Sequence, residues 1–265
     1  VKRRPAAVAG LFYPDDPRAL SEQIDAFLSE AESSARGEVA STPKALIGPH
    51  AGTRYSGPIA GSAYARLLPL RERIERVVLL GPSHRVAVRG LAASSADAFT
   101  TPLGDVPVDR ASVDRLASFP AVRVQDEAHR LEHSLELHLP FLQRVLARFS
   151  LVPFSVGHAA PEEVSAVLEA AWGGSETLIV VSSDLSHYHD YGTAQRLDRE
   201  TSRNVERLAF ERIDDDHACG AYPVRGLLRA ARGRGLRART VDLRNSGDTA
   251  PGRQEVVGYG AYLFE

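Results

Sequence analysis

Residues 77–84 read VVLLGPSH, and this stretch decides the fold. Four apolar residues in a row, too few for a helix of ordinary length and rich in β-branched valine, predict a strand buried on both faces. The Gly-Pro pair then breaks the strand and delivers Ser83 and His84. Residues 45–52, ALIGPHAG, repeat the form: an apolar run, Gly48-Pro49, then His50. Residues 178–187, LIVVSSDLSH, end instead in two serines, Asp184 and His187. Three buried strands therefore each release polar side chains at their carboxyl ends.

Working outward, segments of helical period alternate with further strand-like runs. Leu20, Ile24, Phe27 and Leu28 predict a helix over 17–32, followed by a Ser-, Gly- and Pro-containing loop at 33–43. A helix rich in small residues is expected at 57–69, suited to close packing on a sheet. GLAASSADAF reads as a strand with a loop, and TTPLGDVPVD as an irregular Pro/Gly-rich excursion before a helix at 109–118. Leu135, Leu137, Leu139, Phe141, Leu142, Val145 and Leu146 suggest one helix through the 130s and 140s. Then come a strand at 151–156, a helix at 161–172 opened by Pro and two acids, and the strand at 177–183. Helices over much of 191–213 and at 221–233 precede two last strands, near 237–244 and 255–264. The alternation predicts an α/β fold: a single domain over residues 1–265, with a mixed, mostly parallel sheet flanked by helices. In such sheets ligands bind beyond the carboxyl ends of the strands, so His50, His84, Asp184 and His187 are expected to meet in space.

Composition narrows the function. Of 265 residues, 32 are Lys or Arg and 34 are Asp or Glu, a formal net charge of −2. That balance carries no basic stripe of the kind that nucleic-acid binding needs. The Arg-rich stretch 229–239 reads as a solvated helix end. No apolar run approaches the ~20 residues that span a bilayer, and the basic, Pro- and Gly-broken N-terminus does not read as a signal peptide. One cysteine permits no internal disulfide and suits a reducing cytoplasm.

Two neutral imidazoles and one anionic ligand with open positions form a site for non-haem Fe(II), while imidazole also serves zinc and copper. His50 and His84 can hold such a metal, or can satisfy loop backbone. Cys219 precedes a predicted helix, whose N-terminus would favour its thiolate; the alternative is an inert core cysteine. Asp184 and His187 read either as a carboxylate-oriented general base or as a cap and a surface histidine. HRLEH at 129–133 matches an inverted zinc-peptidase pattern, which needs His129 and His133 on one helix face. No nucleophile elbow, P-loop or dinucleotide-binding glycine motif is present.

GLFYP (10–14), PHAG (49–52) with Tyr55 and Ser56-Gly57, GPSH (81–84), TPLGD (101–105), EHSLELHLPF (132–141), SSDLSH (182–187) and Cys219-Gly220 with Pro223 together resemble the Memo family over nearly the whole chain. Its bacterial members are often labelled component B of the AmmeMemoRadiSam system, which implies AMMECR1-like and radical-SAM proteins as partners. The family in turn resembles class III extradiol dioxygenases, which open catecholic rings on Fe(II). The resemblance implies His50, His84 and Cys219 as metal ligands, with Cys219 in place of the dioxygenase glutamate. It implies His187 as base with Asp184 beside it, and His133 facing substrate and dioxygen. Fe(II) is the implied cofactor, with copper or zinc as alternatives for a thiolate-bearing site. A small aromatic substrate is implied for an oxidoreductase; the alternative is a metal- or peptide-binding adaptor with a vestigial pocket.

Overall fold

The computed structural model describes residues 1–34 and 42–265. The loop expected at 33–43 lies mostly outside them. Twelve strands are present among the described residues. They are β1 (Arg3–Arg4), β2 (Ala45–Gly48), β3 (Arg76–Pro82), β4 (Leu91–Ala93), β5 (Ala98–Thr101), β6 (Gly104–Pro107), β7 (Val122–Val124), β8 (Ser150–Val156), β9 (Thr177–Ser182), β10 (His187–His189), β11 (Ala238–Asn245) and β12 (Val256–Phe264).

The large mixed sheet runs β10-β12-β2-β9-β3-β8-β4-β7, with β11 on the other side of β12. Its centre, β2-β9-β3-β8, is parallel. Antiparallel pairings attach β12 to β2 and β4 to β8. The central strands are buried along almost their whole length, which explains why they read as unbroken apolar runs. Pro153 sits in β8 opposite Leu79, one residue beyond the point where β4 stops pairing, so its missing N–H costs no ladder bond on that side.

Helix Ala221–Gly233 rests on β3 and β9 and packs against helix Pro161–Ala171. Helix Thr53–Tyr64 lies on β2 and β12 and packs against helix Pro17–Ser34. Its small residues also allow close packing on that helix: a Cβ on Gly57 would lie 2.3 Å from the Phe27 ring, and one on Gly61 2.9 Å from the Phe27 carbonyl.

Two expectations need correction. The excursion at 100–109 contains an antiparallel hairpin, β5-β6, which joins β1 in a small second sheet. The continuous helix through the 130s and 140s is broken into Glu127–Arg130, a 3₁₀ turn at Glu136–His138, and Leu139–Val145. The break has a local cause. Glu132 folds its carboxylate back onto the amides of His133 and Ser134, both at 2.9 Å, satisfying donors that a continuing helix would have used. No helix among the described residues is long and apolar enough to cross a membrane.

Candidate metal centre

β9 lies between β2 and β3, so the residues leaving β9 stand between His50 and His84. The ligand atoms of His50, His84 and Cys219 all lie within 4.8 Å of one another. Cys219 reaches the site from the turn before helix Ala221–Gly233, where its amide donates to the Asp184 carbonyl at 3.3 Å. Gly220 permits this approach: a Cβ there would lie 2.5 Å from the Ser182 carbonyl.

Each histidine of the trio has one ring nitrogen committed. The Ser182 hydroxyl donates to the Ser134 carbonyl at 2.6 Å, so towards His50 Nδ1, also at 2.6 Å, it accepts. Nδ1 of His50 is therefore the protonated nitrogen, and Nε2 carries the lone pair. That nitrogen faces Cys219 Sγ at 3.4 Å, close to the roughly 3.5 Å that separates N and S ligands on a tetrahedral metal. Burial, then the neighbouring imidazoles, push the His50 pKa well below its ordinary value, so the ring is neutral.

His84 is held by Glu132, whose Oε1 takes the ring Nδ1–H at 2.9 Å and whose Oε2 takes the backbone N–H at 2.6 Å. Burial pushes the Glu132 pKa up, but the His84 ring and the amides of Ser134 and His84 outweigh it and bring it down to about 2. A carboxylate locking Nδ1 of a metal-facing imidazole is a recurrent supporting group at metal sites. Sequence reading assigned no role to Glu132. The available signal was its place beside His133 in a histidine-rich stretch, EAHRLEHSLELH at 127–138.

Around the trio stand the other expected residues. His133 stacks on His84 with ring centroids 4.8 Å apart, and Phe12 packs edge-on against it at 4.9 Å. Burial lowers the His133 pKa to about 4, so this ring too is neutral. Asp184 and His187 place ligand atoms within 4.8 Å of Cys219 Sγ and of each other. Asp184 does not orient His187 by a hydrogen bond, however. Its Oδ1 accepts the His50 amide at 2.8 Å, whereas His187 Nδ1–H donates to the Leu185 carbonyl at 2.7 Å. Nε2 of His187 is consequently free as well.

Cys219 differs from expectation in one respect. Burial, then the negative charge of Asp184, push its thiol up, against the depression a helix N-terminus would give. A bound cation reverses that balance, because metal coordination deprotonates a thiol outright. The donor set of two imidazoles whose δ-nitrogens are committed, each leaving Nε2, and one sulfur fits a zinc-, copper- or iron-sized ion.

The peptidase pattern fails geometrically. The helix carrying His129 ends at Arg130, and His129 Nε2–H donates to the Ala92 carbonyl at 2.8 Å. Glu132, the glutamate of that pattern, is committed to His84 instead. The stretch before the site is clamped from the N-terminus. Buried Arg4 donates to the Glu136 carboxylate and to the carbonyls of Glu132 and His129. Glu136 also accepts from Tyr13 Oη and from the amides of Ala7 and Val8.

An α/β sheet presenting two imidazoles and a thiol at its carboxyl edge defines a class of candidate metalloprotein. Residues 4–263 match the family model described as Memo-like protein, and the chain belongs to the Memo family. Relatives described as MEMO1 family proteins include one from Aquifex aeolicus, 34% identical with 98% of each chain covered. Another, from Thermotoga sp. strain RQ2, is 34% identical with 100% of each covered. A third, from Archaeoglobus fulgidus, is 35% identical with 97% of each covered. In fold the chain resembles a solved structure of an uncharacterized protein from Escherichia coli K12. The TM-score is 0.54 at 15% identity, covering 83% of this chain and 98% of that one.

Proposed function

We propose that this protein is a metal-dependent oxidoreductase related in mechanism to extradiol dioxygenases, with His50, His84 and Cys219 holding Fe(II), or copper or zinc in its place. The observation that carries the reading is that both imidazoles have Nδ1 committed, to Ser182 and Glu132, leaving Nε2 free to bind a cation beside Cys219 Sγ. When bound, a redox-active metal supplies the means to bring dioxygen and an electron-rich aromatic substrate together.

The chain's own groups then have distinct tasks. His187, with Nδ1–H on the Leu185 carbonyl, offers Nε2 to accept a proton from a substrate hydroxyl. His133, neutral and stacked on His84, offers a polar ring edge to substrate. Phe12 covers that ring and limits water.

The test is metal content of protein purified without oxygen, beside Cys219→Ser and His84→Ala. Near-stoichiometric iron or copper in the parent, lost in both variants, supports the site. Oxygen consumption with catechols, abolished in His187→Ala without metal loss, supports the base. A parent that takes up none of Fe(II), Cu(I) or Zn(II) refutes the metal reading.

A second reading, a metal- or peptide-binding adaptor, is favoured by the site's surroundings. Leu11, Leu131 and Tyr188 are exposed apolar side chains next in sequence to Phe12, Glu132 and His187, and Tyr55, also exposed, lies five residues after His50. Such a rim suits docking of a partner segment, whether peptide or an AMMECR1-like or radical-SAM protein. A metallated protein inert towards oxygen and catechols would favour it.

A further inference from the structure

Asp184 faces His187 without a hydrogen bond to it, so another group must set that ring. We infer that Asp198 is the positioning residue of His187, acting through the Leu185–Ser186 peptide; the inference rests on His187 as the proton acceptor. One planar peptide unit carries both contacts. Its carbonyl, from Leu185, accepts His187 Nδ1–H at 2.7 Å. Its N–H, from Ser186, donates to Asp198 Oδ1 at 3.1 Å. Asp198 therefore fixes the plane of the peptide whose carbonyl aims the imidazole. A carboxylate on the N–H end also strengthens the carbonyl as an acceptor, as hydrogen bonds in series do. The arrangement is an Asp–His pair with a peptide inserted between its members.

The surroundings are built for this contact. Asp198 is 2% exposed and lies within helix Tyr191–Glu206, an unusual place for a carboxylate that has no salt bridge among the described residues. β12 makes room for it with Gly258, where a Cβ would lie 2.1 Å from Asp198 Oδ2. Gly258 also holds the same turn through its own backbone. Its carbonyl accepts the Leu185 amide and its amide donates to the Ser186 carbonyl, both at 2.8 Å. The turn is thus gripped by one glycine backbone and one buried carboxylate. Beyond His187 the chain enters a left-handed residue, Tyr188 at φ 60°, an uncommon backbone conformation for a bulky side chain.

The experiment reads the His187 tautomer by ¹⁵N NMR of the full chain in the presence of Zn(II), with the resonance identified by its loss in His187→Ala. Parent protein and Asp198→Asn, which keeps an acceptor oxygen, are expected to show a single Nδ1–H tautomer. Asp198→Ala is expected to show an averaged pair. Gly258→Ala, which displaces the carboxylate without deleting it, should reproduce the Ala result and serves where Asp198→Ala does not fold. In oxygen consumption with a catechol, loss of the acceptor should lower kcat about 10-fold or more with KM unchanged, and the Asn variant should restore it. If the parent consumes no oxygen, the enzymatic reading fails while the tautomer measurement still decides the role of Asp198. An unchanged His187 tautomer in both Asp198→Ala and Gly258→Ala, or equal disruption in Asn and Ala variants, overturns the inference.

Discussion

As candidate ligands, His50 and His84 depend on the residues that occupy their δ-nitrogens. Ser182 does this for His50 through an oxygen whose own proton is spent on Ser134, and Glu132 does it for His84 with a full negative charge. Glu132→Gln keeps the shape and removes the charge. It should weaken metal binding about 10–100-fold, measured by competition with a chelator, while leaving the fold intact. Asp198 supplies a pH-dependent prediction at the same scale. Burial holds its pKa up, to about 6 against an ordinary 3.8. The folded state therefore binds this proton more tightly than the unfolded chain. Its contribution to stability is most favourable below pH 4 and declines as pH rises from 4 to 6, by at most about 3 kcal/mol. Urea unfolding across that range should show the decline in the parent, and Asp198→Asn should flatten it.

Two elements matter more than their length suggests. Helix Thr53–Tyr64 follows the His50 turn directly, and its glycines let it seat against Phe27 of helix Pro17–Ser34. Gly57→Ala should cost about 1–3 kcal/mol by overpacking, read as a lower urea midpoint with an unchanged m-value. The interrupted segment 127–145 is the second. An apolar pattern that reads as one helix is cut where Glu132 caps the amides of His133 and Ser134, and the cut turns His133 into the site. The same carboxylate both stops the helix and orients His84, so the interruption and the site are one feature.

At the scale of the whole molecule, the candidate ligands come from three separate stretches of chain, after β2, after β3 and before helix Ala221–Gly233. An ion holding them favours the folded state only. At a free metal concentration 100 times Kd it should add about 2.7 kcal/mol, a rise in Tm of several degrees for a chain of this length. Calorimetry with Zn(II) and with a chelator should show that difference in the parent and none in Cys219→Ser.

The order of elements and the identity of His50, His84, Cys219 and His187 as residues to examine were legible in the sequence. Buried parallel strands must be apolar along their length, and the Gly-Pro breaks mark where they stop. The same holds for helices Pro161–Ala171 and Ala221–Gly233, whose caps and periodicity are local. What only the tertiary structure decided is the set of supporting partners. Glu132 and Asp198 look like ordinary acids in one dimension. Their tasks depend on which amides and imidazoles the fold brings within hydrogen-bond distance, and β9 falling between β2 and β3 is a long-range outcome that no local pattern encodes. The hairpin β5-β6 and the broken helix escaped for a related reason. Both are settled by competition for backbone hydrogen bonds, which depends on neighbours distant in the chain or on a side chain folding back, and not on hydrophobic period.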